Sequence, residues 1–255
     1  MTLVTVIALG ALGFVVGGLI GCIGVGGILL VPALTYLGGM AIQEAIAVAM
    51  FSYIFTGLMG AALYARKGSI RWPMAIWLCL AAMPAAFAAS WASHVIPGAL
   101  IEICIAAFVV FAGISALRPA ASSAQEIPAL GRPTLLATGA VTGIGSALTG
   151  TGGPLVLLPL MIRLGVPILT AIGLAQAVQL PIATLATTGH LIYGRVDFTV
   201  GLVLAGALAL GVAMGAYLAH KIAQQHLRRV VALVLIGVGC AIILKIARAW
   251  LPVIL

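Results

Sequence analysis

The chain has 255 residues, of which only 6% are charged while 64% are hydrophobic, and its mean hydropathy is +1.32. Soluble domains are about a quarter charged. The composition therefore excludes a water-soluble enzyme, a nucleic-acid binder and a disordered chain, and predicts an all-α, polytopic integral membrane protein whose surroundings are the lipid bilayer. The formal net charge of +8 comes from scattered Lys and Arg, whose information lies in the loops they occupy. Cys22, Cys79, Cys104 and Cys240 each stand alone in an apolar stretch, which predicts small buried hydrophobes, with no metal site and no disulfide.

In chain order, the first cation is Arg66. A secretory signal opens with a cationic region, so the apolar N-terminal stretch is expected to be retained. Long apolar runs fall at 3–37, 45–65, 73–92, 98–117, 133–163, 169–192, 198–219 and 229–250. Six have the ~20-residue length of one spanning helix. The other two are longer and broken, at Gly21, Gly24, Gly26, Gly27 and Pro32, and at Gly143, Gly145, Gly150, Gly152, Gly153, Pro154 and Pro159. Between them, 118–132 is polar and proline-bearing, which divides the chain into a first repeat (1–118), a linker (119–132) and a second repeat (133–255).

Two landmarks recur. Gly24-Val25-Gly26-Gly27 running into Pro32 is matched by Gly150-Thr151-Gly152-Gly153 running into Pro159, and Gly68…Trp72 by Gly194…Phe198, at offsets of 126 residues, or 127 at the prolines. Such spacing predicts duplication. If each broken run makes no net crossing, by re-entering or by crossing twice, the second repeat is inverted. With loop 66–72 inside, nine Lys/Arg then lie on the cytoplasmic side and three outside, with both termini outside. Eight plain crossings are the alternative.

Matched breaks in two repeats point to a transport site near the membrane midplane. Non-helical backbone at that depth must be buried or line a cavity. Half-helices starting after Gly27 and Gly153 would offer free N–H groups and positive dipole ends to an anion. Close helix packing is the competing reading of these glycines. Candidate substrate contacts are Gly24, Gly26, Gly27, Gly152 and Gly153, the hydroxyls of Thr149 and Thr151, and polar groups of the following helices, Ser52 and Thr56 in one repeat and Gln176 and Gln179 in the other. At the 127 offset Gln179 aligns with Ser52. Gln176 and Gln179 suit interhelical bonds equally well, and Ser52 and Thr56 can bond their own helix. Glu44, Glu102, Glu126 and Asp197 fall at or near segment ends, and His190 is expected to be the sole histidine inside a crossing, with His94, His220 and His226 in loops. No catalytic constellation, metal site or cofactor is predicted.

Together the paired glycine breaks and the Gly68…Trp72 and Gly194…Phe198 exits resemble those of the sulfite exporter TauE/SafE family, also called the 4-toluene sulfonate uptake permease family. The resemblance spans nearly the whole chain. It implies a multi-pass transporter of a bacterial or archaeal inner membrane that moves sulfite, sulfoacetate or a related small organic anion, with a proton or sodium as coupling ion. One position departs from it, since Arg71 stands where the second repeat has Asp197, the family's usual residue. The expected function is anion transport by alternating access, one repeat rocking against the other. An anion channel with the same site is the alternative, and a membrane-embedded enzyme or scaffold the third reading.

Overall fold

The computed structural model describes residues 3–24, 26–101, 103–104, 107, 129–219 and the single positions 237, 240 and 244. The 229–250 run, the 219–229 loop, linker residues 119–128 and most of the 98–117 run lie outside the described residues. The described elements are α1 (Leu3–Ile23), a 3-10 turn (Gly27–Leu29), α2 (Leu30–Tyr36), α3 (Ile42–Arg66), α4 (Trp72–Val95), α5 (Arg132–Thr149), α6 (Pro154–Arg163), α7 (Ile168–Tyr193) and α8 (Phe198–Ala219). Among the described residues there is no strand.

Among the described residues four helices, α3, α4, α7 and α8, are long and apolar enough to cross a membrane. Their outward side chains include Phe55, Leu58, Ile76, Leu80, Trp91, Leu202 and Leu210. Water would penalise so continuous an apolar exterior, whereas lipid accepts it. The chain is an all-α, polytopic membrane protein.

The two long apolar runs are interrupted more narrowly than their composition indicates. Helix continues through Gly21, Gly143 and Gly145, and Pro32 and Pro159 lie inside α2 and α6, leaving non-helical backbone only near 24–26 and at 150–153. The helical glycines serve packing instead. A side chain on Gly17 or Gly21 would strike the α8 backbone at Leu208 or Val212, and one on Gly139 or Gly143 the α4 backbone at Leu78 or Ala82. Glycines four residues apart bring two helices close enough for broad dispersion contact, the main source of helix association in lipid.

These contacts fix directions. Gly13 meets Leu204, Gly17 meets Leu208 and Gly21 meets Val212, so α1 and α8 run parallel. The Gly139–Leu78 and Gly143–Ala82 contacts make α4 and α5 parallel. Gly173 at the start of α7 touches the loop before α4, and Gly189 near its end touches Ser90, so α4 and α7 are parallel too. Gly57 meets Leu180 and Gly60 meets Gln176, which makes α3 antiparallel to α7. Each of α1, α3 and α4 therefore runs opposite to α5, α7 and α8 respectively. Eight plain crossings would make α4 and α7 antiparallel, so that alternative fails.

The halves interleave rather than sit side by side. The major packing partners are α1 with α8, α4 with α5, α3 with α7, α4 with α7 and α3 with α8. Each pair joins the two halves.

Candidate functional site

The two breaks meet beside Tyr53, near the middle of the 25-residue α3. Its buried hydroxyl donates to the Gly27 carbonyl at 2.6 Å. Its ring lies against the other break, where a methyl group on Gly152 would come within 2.7 Å of Cδ2. A methyl on Gly27 would stand 2.7 Å from the Thr151 carbonyl oxygen. Only glycine admits this approach, and Gly150, Gly152 and Gly153 also hold φ values of 68°, 78° and 116°, in the region L side chains disfavour.

One side of this junction is less crowded. A methyl on Gly153 would lie 3.5 Å from Ile182 Cδ1, 3.7 Å from Gln179 Cα and 3.9 Å from Ser146 Oγ, which is ordinary contact. Both polar residues on this side are buried, and among the described residues neither Ser146 Oγ nor Gln179 Oε1 has a hydrogen-bond partner. Buried polar groups are nearly always paired, so such atoms mark where a ligand or water belongs. The following half-helix, α6, begins at Pro154, which has no N–H. The amides on offer there belong to Gly152, Gly153 and Leu155, none of which bonds to a carbonyl among the described residues.

The remaining polar groups are mostly committed. Thr149 Oγ1 donates to the Gly145 carbonyl, so the 3.1 Å contact between the hydroxyls of Thr149 and Thr151 takes the Thr151 proton. Ser52 shares its proton between the carbonyls of Val48, at 2.9 Å, and Gly201, at 3.0 Å, which pins α3 to α8. Thr56 donates to the Tyr53 carbonyl and accepts Gln179 Nε2 at 2.6 Å. Gln176 Nε2 donates to the Ile20 carbonyl at 3.0 Å, tying α7 to the end of α1. The two amides thus differ. A carbonyl partner fixes the Gln176 NH2 group, while Thr56, by giving up the Tyr53 carbonyl and donating to Gln179 Oε1 instead, lets the Gln179 amide turn and free its NH2 group. Gly26 presses on Val16 and Leu19 of α1, and Gly24 makes only loose contact with Pro154 and Leu158.

Two residues of this junction matter beyond the substrate contacts named from sequence: Tyr53, which the sequence offers only as a polar group of the helix after the first break, and Ser146, which it does not single out. At the 126 offset Tyr53, not Ser52, is the counterpart of Gln179, and each faces the break of its own half. Ser146 falls in the helix before the break, where only its tertiary surroundings distinguish it. The described cations stay peripheral, with Arg66 ending α3, Arg132 opening α5 over the Trp77 ring at 5.0 Å, and Arg163 ending α6.

Residues 9–242 match the family described as Sulfite exporter TauE/SafE. The chain belongs to this family. It is also similar to the "Probable membrane transporter protein YunE" of Bacillus subtilis (strain 168), at 24% identity over 269 residues, covering 95% of this chain and 98% of that protein. No solved structure matches.

Two further details of this TauE/SafE chain bear on the expectations above. His94 lies in the last turn of α4 rather than in a loop, because the helix continues to Val95, and its Nε2 sits 3.1 Å from His190 Nδ1. His190 is therefore not alone among helical histidines. Asp197 caps α8, accepting the amides of Thr199 at 2.9 Å and Val200 at 3.1 Å. Its counterpart Arg71 precedes α4, whose second residue is Pro73. Proline lacks the N–H that a cap would serve, so that helix start has less need of a carboxylate.

Proposed function

We propose that this protein is a secondary transporter of the inner (plasma) membrane that carries a small sulfur-containing or organic anion, such as sulfite, sulfoacetate or another sulfonate or carboxylate, by alternating access. The observation that carries the reading is the pair Ser146 and Gln179 beside Gly153, buried and incompletely bonded at the start of a half-helix. The anion is held by dipoles: the amides of Gly152, Gly153 and Leu155, the Ser146 hydroxyl, the turned Gln179 amide and the positive end of α6. Thr149, Thr151 and Thr56 orient this shell, Tyr53 and Gly27 close it from the first break, and Gly24, Gly26, Ser52 and Gln176 hold the surrounding helices.

The halves 1–118 and 133–255, joined by the linker 119–132, are read as inverted repeats, which the opposed helix directions support. Rigid rocking of one sequence half against the other would tear the α1–α8 and α4–α5 packing. Access alternates instead by movement of these two mixed pairs about an α3–α7 core, with a proton or sodium as coupling ion.

Purified protein in liposomes is expected to show saturable sulfite uptake and counterflow. A large unitary current without counterflow would replace the carrier with an anion channel. Reporter fusions after Trp72 and within 219–229 are expected to read cytoplasmic, and opposite readings at the two places would end the inverted arrangement.

A further inference from the structure

The ends of α4 and α7 meet at a pair of imidazoles that the anion site does not use. His94 Nε2 faces His190 Nδ1 at 3.1 Å, with ring centroids 5.3 Å apart and planes at 72°. His190 is fully buried, and among the described residues neither its Nε2 nor the Oγ1 of Thr187, one turn earlier on the same helix, has a partner. His94 is only partly buried. At that separation one facing nitrogen carries hydrogen and the other does not. The neutral pair then holds one bridging N–H and one outer N–H, leaving a single outer nitrogen bare. One further proton fills that nitrogen. A second would have to enter between the rings and set two N–H groups and two positive charges head to head, so the pair takes up one proton as a unit.

We infer that His94 and His190 form the site of the coupling proton. The inference rests on the transporter reading above and goes beyond it by assigning the ion and its residues. A proton accepted at His190 Nε2, on the buried side beside Thr187, makes the bridging hydrogen free to pass from His190 Nδ1 to His94 Nε2. His94 then releases its Nδ1 proton on the partly exposed side. One proton enters, one leaves, and only N–H bonds are made and broken. The two rings stand on helices that belong to different packing groups, α4 with α5, and α7 at the core. Separation of these helix ends breaks the shared hydrogen bond and changes the proton affinity, so proton occupancy biases one conformation over the other.

Few other titratable groups stand at this end. Tyr193 of α7 packs against Phe87, Glu44 lies in the first turn of α3, Arg195 lies in the loop before α8, and Asp197 is engaged with the α8 amides. The cations of α5 and α6, Arg132 and Arg163, sit at the opposite end. Among the described residues no carboxylate pairs with either imidazole.

The test uses the full chain with 15N-labelled histidine in lipid nanodiscs, and liposomes with sulfoacetate as the transported probe. The imidazole spectra are expected to show one proton taken up by both rings in a single coupled step, which His94→Gln abolishes. For one coupled proton, sulfoacetate is expected to distribute about tenfold unequally per unit of pH difference. His190→Gln and the more accessible His94→Gln are expected to lower that accumulation far more than they lower counterflow. Independent titration of the two rings, or accumulation that survives both substitutions in a protein that still exchanges sulfoacetate, overturns the inference alone. Counterflow of neither sulfite nor sulfoacetate in the unmodified protein overturns the transport reading, and the coupling with it.

Discussion

The breaks at 24–27 and 150–153 share one glycine pattern and have different surroundings. In the first, Gly24 alone among the described residues has positive φ, Gly26 is pressed against α1 and the Gly27 carbonyl is taken by Tyr53. In the second, three glycines have positive φ, and Gly153 is less crowded, with Ser146 and Gln179 beside it. A repeated motif therefore does not imply two equal sites. One break acts as a packed support and the other retains unbonded polar atoms, which is the difference expected between a strut and a binding surface.

The largest effect that would sharpen this comparison is expected from Gly152→Ala. Its φ of 78° costs a side chain about 1–3 kcal/mol, and overlap with the Tyr53 ring adds about 1–3 kcal/mol. Gly153→Ala makes no such overlap, but its φ of 116° with ψ of −52° lies outside even the left-handed region, so its backbone cost is the larger of the two. Thermal unfolding in detergent is expected to show both variants melting below the unmodified protein, while sulfite uptake falls in both. Unchanged melting of Gly152→Ala would mean that Tyr53 yields readily and that the breaks are less tightly joined than their geometry indicates.

Ser146→Ala separates binding from support. The hydroxyl has no partner among the described residues, so its removal is expected to leave stability within about 0.5 kcal/mol. A hydrogen bond to a charged group contributes about 1.5–3 kcal/mol, which corresponds to about 10- to 150-fold weaker anion binding. Titration of sulfite by calorimetry is the measurement. Unchanged affinity would remove the second break as the site.

Tyr53→Phe probes the strut. It orphans the Gly27 carbonyl at a cost of about 1–3 kcal/mol, and the loss is expected chiefly in melting temperature, with affinity for sulfite changed less than by Ser146→Ala. The reverse order would show that the first break, not the second, receives the ligand.

What could be read from sequence followed what residue type alone constrains. Long apolar runs specify spanning helices, and glycines at matched offsets specify the breaks, because few other residues tolerate their backbone. The direction of a hydroxyl proton is not of that kind. Thr151 is a donor by type, yet Thr149 takes its proton, and Ser52 is turned to Gly201 on α8. An offset wrong by one residue rotates a helical position by about 100°, which is why aligning Gln179 with Ser52 missed Tyr53 as its counterpart. Gly21 and Gly143 read as interruptions because composition alone does not separate a glycine that ends a helix from one that lets another helix approach. The end of α4 at Val95, three residues beyond its apolar run, brought His94 into the helix and against His190.

The smallest expected effect concerns the exits that follow the two breaks, where Asp197 and Arg71 occupy matching places. Asp197→Ala removes a side-chain acceptor for two α8 amides, and loss of such a cap costs about 0.5–2 kcal/mol. Arg71 caps nothing through its side chain, so Arg71→Ala is expected to leave the melting temperature unchanged. Placing a carboxylate there, as at Asp197, gives the sharper comparison. If the acidic position serves only to start a helix, Arg71→Asp offers α4 an acceptor for its first-turn amides and a favourable charge at its positive end, worth a few tenths of a kcal/mol. Its melting temperature should then hold or rise slightly, and sulfite transport should be unaffected. Removing a cation from loop 66–72 also weakens the charge bias on which the proposed inside placement of this loop rests, so the reporter fusion after Trp72 is read in the same variant. A loss of transport on Asp197→Ala out of proportion to its loss of stability would show instead that this carboxylate takes part in the transport cycle, and that Arg71 marks a true functional asymmetry between the halves.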